Sequence, residues 1–145
     1  MKIRPFTDAD ALSLIAFMEH WGPDDGHLSL QQLVLQVLHC RENVSGDLFL
    51  ALENNEIVAY LQMSQMSLVG FLPAAEISAL LVHTGLRGRG IGTKLIEFAR
   101  EWAMDRGLKR LVLSSQLHRT EAHALYRRCG FTRWKQSVFF EMNLK

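Results

Sequence analysis

A strand, a glycine-rich turn and a helix follow one another in the middle of this chain, and no other feature constrains its folding as much. Ile77 to Val82 is a strand-like apolar run, Arg87-Gly88-Arg89-Gly90-Ile91-Gly92-Thr93 is the turn, and Ile91 to Arg106 is helix-like. Glycine lets a backbone approach a ligand closely, and successive N–H groups in such a turn converge on one anion. The start of the following helix adds unpaired donors and partial positive charge. The unit reads as a cradle for a phosphorylated cofactor.

Spacing separates the kinds of phosphate loop. A Walker-type loop ends Gly-Lys-Ser or Gly-Lys-Thr, whereas this chain reads Gly92-Thr93-Lys94, with lysine and hydroxyl exchanged. A dinucleotide loop has Gly-x-Gly-x-x-Gly and an acidic residue about 20 positions on. Gly88, Gly90 and Gly92 have a different spacing, and Ser114-Ser115-Gln116 offers no acid to a ribose. The third pattern, Arg/Gln-x-x-Gly-x-Gly/Ala, is met by Arg87, Gly90 and Gly92. An ordinary turn that caps a helix is the reading without a ligand.

The rest of the chain supplies the context. Ile3–Phe6 is a short strand, Thr7 and Asp10 start a helix bearing Ala11, Leu14, Ile15 and Met18, and Ser29 and Gln32 form a capping box for a second helix. Leu48–Leu52 and Ile57 to about Gln65 are strands joined at Glu53-Asn54-Asn55-Glu56. Glu76–Val82 is the strand before the loop, Gly107 ends the helix after it, and Leu111–Leu113 is the next strand. Thr120–Cys129 is a helix stopped by Gly130, and Phe131–Trp134 and Val138–Leu144 close the chain as strands. The order β-α-α-β-β-β-α-β-α-β-β specifies an α/β (α+β) fold, a single mixed sheet flanked by helices.

A second signature follows at the C-terminal end. Ala122-His123-Ala124-Leu125-Tyr126-Arg127-Arg128-Cys129-Gly130-Phe131 fits Ala-x-x-aromatic/apolar-Tyr-x-x-x-Gly-Phe. With both motifs at the right separation and the element order met throughout, the chain resembles the GCN5-related N-acetyltransferase (GNAT) superfamily.

That resemblance implies acetyl-CoA as co-substrate and transfer of acetyl to a primary amine, on a small molecule or on a protein lysine or N-terminus. A CoA-binding regulatory or sensor module without turnover is the alternative. The diphosphate falls to Arg87, Gly88, Arg89, Gly90, Ile91, Gly92 and Thr93. The pantetheine arm, which carries two amides, falls to the backbone of Leu80, Leu81 and Val82. The thioester oxygen falls to the N–H of Leu80 or its neighbour, and the proton for the departing thiolate to Tyr126. Where many relatives have asparagine seven residues before that tyrosine, this chain has Arg119.

An amine must be neutral to attack, and a lysine-like amine is neutral in only about one molecule in a thousand at pH 7. Glu76, four residues before Leu80, is the candidate general base; Glu76, Ser78, Leu80 and Val82 alternate onto one face of an ideal strand. The spacing from Glu76 to the glycine loop matches the histone-acetyltransferase branch, which implies the same role. His83, His118 and His123 read as surface or capping groups. Trp21, Asp24 and Asp25 sit in the loop that the resemblance places beside the acceptor.

Composition narrows the remainder. The 145 residues fit one domain, 1–145, and a net charge of +1 provides no field for nucleic acid or an anionic membrane. Cys40 and Cys129 make neither a disulfide framework nor a metal site, which suits a reducing cytoplasm. No apolar run reaches membrane-spanning length. The partner expected is the amine acceptor, with a homodimer left open.

Overall fold

The computed structural model describes residues 1–19, 28–39 and 46–144. Contacts divide the chain into two compact units, Met1–Ser114 and Ser115–Lys145. The first unit holds β1 (Lys2–Pro5), α1 (Ala11–Glu19), α2 (Leu30–Leu38), β2 (Asp47–Glu53), β3 (Glu56–Met66), β4 (Ala74–Val82), α3 (Ile91–Asp105) and β5 (Leu111–Val112). The second holds α4 (Thr120–Arg128).

The five strands form one sheet in the order β1-β2-β3-β4-β5. The first four pair antiparallel, and β5 joins β4 in parallel. This is the mixed sheet that the element order requires. Asn54 and Asn55 take φ of 50° and 65°, so the tight β2–β3 turn uses the residue type that best tolerates left-handed backbone after glycine.

Strand alternation divides the sheet into two apolar faces. Leu50 and Leu81 project into a cluster with Ala11, Leu14, Ile15 and Phe17 of α1 and Val37 of α2. Phe49, adjacent to Leu50, points the other way and meets Phe98 of α3, ring centroids 4.8 Å apart. Helices therefore cover both faces, as layer packing demands.

The first helix is anchored by a charged knot. Asp10 is nearly buried, and its carboxylate accepts from Arg4 Nη1 and Nη2 at 2.7 and 2.8 Å. It also accepts from the Thr7 N–H at 2.8 Å and the Thr7 hydroxyl at 2.9 Å. The Arg4 hydrogen bonds, aided by those from Thr7, outweigh the effect of burial and hold the Asp10 carboxyl far below the usual carboxylate range. A carboxyl depressed in this way stabilises the fold above the unfolded value, near pH 4, and loses that contribution as pH falls further toward the folded value. Asp10→Asn should cost about 2–4 kcal/mol at pH 7 by leaving Arg4 unpaired. Urea denaturation should show the two proteins converging below about pH 4; a constant gap would remove ionisation of Asp10 from its cause.

The chain after α4 departs from expectation. Residues 131–144 form no strand, although Phe131–Trp134 and Val138–Leu144 carry strand-like patterns. A strand exists only with a partner backbone and a face to bury. Here Val138, Phe140, Met142 and Leu144 are exposed, Phe140 at 93%. The α/β mixed-sheet architecture stands without these two elements.

Candidate active site

The glycine turn opens α3 as its sequence dictates. Gly88 and Gly90 take φ of 81° and 80°, a region that side-chain-bearing residues rarely enter, and a Cβ built on either meets no atom within 4 Å. Gly90 is the N-cap of α3 and provides no side-chain acceptor, while its carbonyl accepts the first helical bond from Lys94 N–H at 3.1 Å. The N–H groups of Ile91, Gly92 and Thr93 precede that bond and have no acceptor within the helix. Three donors thus project from the positive end of a helix, with Arg87 and Arg89 exposed alongside. The expected diphosphate residues are brought together in one loop.

His83 links β4 to that loop. Its N–H donates to Val58 O at 2.9 Å, its carbonyl accepts from Leu86 N–H at 2.9 Å, and its ring Nδ1 accepts from Gly85 N–H at 3.1 Å. It caps the short 3-10 turn Thr84–Leu86, so the capping role read for it is the one the structure gives.

The register of strand β4 decides which of its backbone groups are taken up by β3. The bond from His83 to Val58 fixes the phase of the antiparallel ladder. Leu81, opposite Tyr60, therefore spends its backbone groups on β3, whereas Leu80 and Val82, opposite Leu61 and Ala59, turn theirs away from β3. On the other side, the ladder to β5 consists of Ala75↔Leu111 and Glu76↔Val112. The ladder to β5 ends at Glu76, and among the described residues no strand pairs with the N–H and C=O of Leu80 and Val82 on that side. The backbone groups of Leu81 are thus directed to β3, and those of Leu80 and Val82 to the opposite side of the strand.

A β-bulge alters the face assignment. Met63 pairs with Ile77 and Gln62 with Ala79, leaving Ser78 as an extra residue. The extra residue reverses the alternation, so Leu80 and Val82 do not share a face with Glu76 and Ser78. Leu80 lies with Ile77, Leu61 and Met63 on the α3 side. Glu76 lies with Ser64, its direct partner, and with Gln62, opposite Ala79, on the α1–α2 side. Glu76, Ser64 and Gln62 are half-buried, and Ser78 is exposed with its hydroxyl 2.8 Å from that of Ser64. The face that is apolar around Leu50 and Leu81 thus turns polar toward the bulge. The Glu76 carboxylate stands on that polar patch. Periodicity alone missed the Ser64–Ser78 pair, since no single-strand pattern reports a bulge.

Tyr126 belongs to the second unit, and the motif around it has a structural logic of its own. Helix α4 ends in a Schellman motif: Phe131 N–H reaches Tyr126 O at 3.0 Å and Gly130 N–H reaches Arg127 O at 3.0 Å. Gly130 takes the left-handed φ of 97° this turn needs. Phe131 then packs edge-on against Tyr126, centroids 6.0 Å apart. Tyr-x-x-x-Gly-Phe is therefore a helix stop that fixes the tyrosine ring. Burial raises the Tyr126 phenol above its ordinary value, against an opposing pull from the charge of Arg119. The phenol stays protonated at neutral pH, as a proton donor must. His123 Nε2 lies 3.0 Å from the Gln116 carbonyl, a local bond that accounts for it structurally.

Trp21, Asp24, Asp25 and Cys40 lie outside the described residues. Cys129 is a free thiol. No helix among the described residues is long and apolar enough to cross a membrane, and none of their His, Cys, Asp and Glu side chains form a group of three able to hold a metal ion.

Comparison with known proteins agrees with this geometry. The profile of the acetyltransferase (GNAT) family matches residues 11–131. The chain is 31% identical over 86 residues to an aminoglycoside N(6')-acetyltransferase of Stenotrophomonas maltophilia, covering 59% of this chain and 53% of that protein. It is 36% identical over 91 residues to an aminoalkylphosphonate N-acetyltransferase of Salmonella typhimurium, covering 62% and 57%. The matched regions thus span little more than half the length of these two relatives. Among solved structures, an aminoglycoside 6'-N-acetyltransferase of Acinetobacter haemolyticus superposes with a TM-score of 0.78 at 20% identity, covering all of both chains. That likeness is one of fold.

Proposed function

Because the chain belongs to the acetyltransferase (GNAT) family, we propose that it moves an acetyl group from acetyl-CoA to a primary amine by direct attack in a ternary complex. The observation that carries this reading is the open edge of β4, with the Leu80 and Val82 backbone groups turned outward next to a helix that opens on a glycine loop.

Acetyl-CoA supplies an activated thioester. The N–H groups of the 87–93 loop and the first turn of α3 hold its diphosphate. Leu80 and Val82 pair with the pantetheine amides as a neighbouring strand would. The Leu80 N–H polarises the thioester oxygen, where negative charge develops during attack. Glu76 takes the amine proton, directly or through water, and Tyr126 returns a proton to the departing sulfur. The acceptor is a small-molecule amine or a protein lysine or N-terminus. The setting proposed is a reducing cytoplasm, and the chain acts alone or as a homodimer.

Thiol release from acetyl-CoA, followed with and without a panel of amines, tests the reading: the rate should depend on the amine. Glu76→Gln should lower kcat/KM near neutral pH by about 10²-fold. The deficit should narrow toward pH 10, where more of the amine is already neutral. Parallel pH profiles for the two proteins would remove Glu76 as the base and leave ordered water or another acid in its place.

A further inference from the structure

The bulge in β4 sets a hydroxyl pair beside the proposed reaction centre. We infer that Ser78, held by Ser64, recognises a hydroxyl carried next to the acceptor amine, which makes the acceptor a hydroxylated small amine. The inference rests on the acetyl-transfer reading and names the substrate class for that same site.

Ser78 has no ladder partner, yet its side chain is fixed, because its hydroxyl lies 2.8 Å from that of Ser64. Ser64 in turn stands directly opposite Glu76, so its Cβ is about 5 Å from that of the carboxylate residue. Between them, two hydroxyls have two donors and several acceptor sites, and their mutual bond uses one of each. One O–H and further lone pairs remain, and Ser78 is exposed. A ligand hydroxyl, which both donates and accepts, satisfies such a pair. An alkyl chain leaves it unpaired, and Glu76 is the charged group on this patch that pairs with an ammonium.

Position along the strand sets where that hydroxyl must be. Ser78 precedes Leu80 by two residues, a separation the bulge shortens below the about 7 Å of a regular strand, and in the proposed complex the Leu80 N–H marks the reacting carbonyl. A group two or three bonds from the attacking nitrogen reaches the serine pair. In a 2-amino alcohol that group is a hydroxyl. In a lysine side chain it is methylene.

The test uses the full chain with matched amines: a 2-amino alcohol and the alkylamine that lacks its hydroxyl. The wild-type protein should favour the amino alcohol in kcat/KM by about tenfold or more, mainly through KM. Ser78→Ala should reduce that preference to near unity while keeping acetyl-CoA affinity, and Ser78→Thr should restore most of it. Ser64→Ala should fall between, since Ser78 then loses its anchor and keeps its hydroxyl. Transfer with no preference in the wild type, or with the full preference retained in Ser78→Ala, overturns the inference and leaves the acetyl-transfer reading intact. No transfer to any amine overturns both.

Discussion

Replacing Tyr126 by phenylalanine should lower kcat by 10²- to 10⁴-fold and change acetyl-CoA affinity little, about the range for loss of a general acid. The substitution removes one oxygen and keeps the ring. The edge contact with Phe131 survives, as does the backbone bond from Phe131 N–H to Tyr126 O, so α4 keeps its end. Burial raises the phenol above its ordinary value, with the charge of Arg119 pulling the other way. Arg119→Ala should therefore move the alkaline limb of the rate profile upward, because the charge that favours the phenolate is gone. Steady-state rates and thermal melts on both variants provide the check. Wild-type turnover in Tyr126→Phe, with the chemical step shown to limit the rate, would make the tyrosine a structural residue of the helix stop.

Gly90→Val should weaken CoA binding by about 10²-fold or more, equivalent to one or two charge-assisted hydrogen bonds at roughly 1.5–3 kcal/mol each. A Cβ at position 90 meets no protein atom within 4 Å, so packing does not forbid it. The damage arises in the backbone: at φ of 80° a β-branched residue is strained, and the cap relaxes away from the geometry that aims the Ile91, Gly92 and Thr93 N–H groups. Stability should fall by only about 1–2 kcal/mol. Calorimetric titration with CoA, beside a denaturation curve, separates the two effects. A folded Gly90→Val protein with unchanged affinity would show that the loop does not hold the diphosphate.

The parts of this fold that were legible in sequence are those governed by local rules. The Ser29–Gln32 capping box, the Asn54-Asn55 turn and the Gly130 helix stop each need particular residue types, and each formed where those types stand. The glycine loop was legible for the same reason. What depends on a neighbouring strand was hidden. Nothing in Ala74–Val82 marks Ser78 as a bulge, because the bulge is a property of the pairing with β3. The end of the β4–β5 ladder at Glu76 is likewise invisible in either strand alone. Residues 131–144 show the converse: apolar alternation was read as strand, but alternation states a face to be buried and not a partner to bury it. For the candidate site, the glycine turn and the helix it opens are legible in the residue types alone. Which backbone groups of β4 face away from β3, and the polar face around Glu76, follow only from the register.

In the proposed reaction, acetyl leaves CoA for an amine on this chain. The most direct measurement counts free CoA thiol and N-acetylated amine in the same reaction, by thiol titration and mass spectrometry. The expected result is one acetylated amine for each thiol released, with little thiol released when the amine is omitted. Thiol release without acetylated amine would identify a hydrolase, and tight CoA binding with no thiol release across the amine panel would identify a sensor; either result would contradict acetyl transfer to an amine.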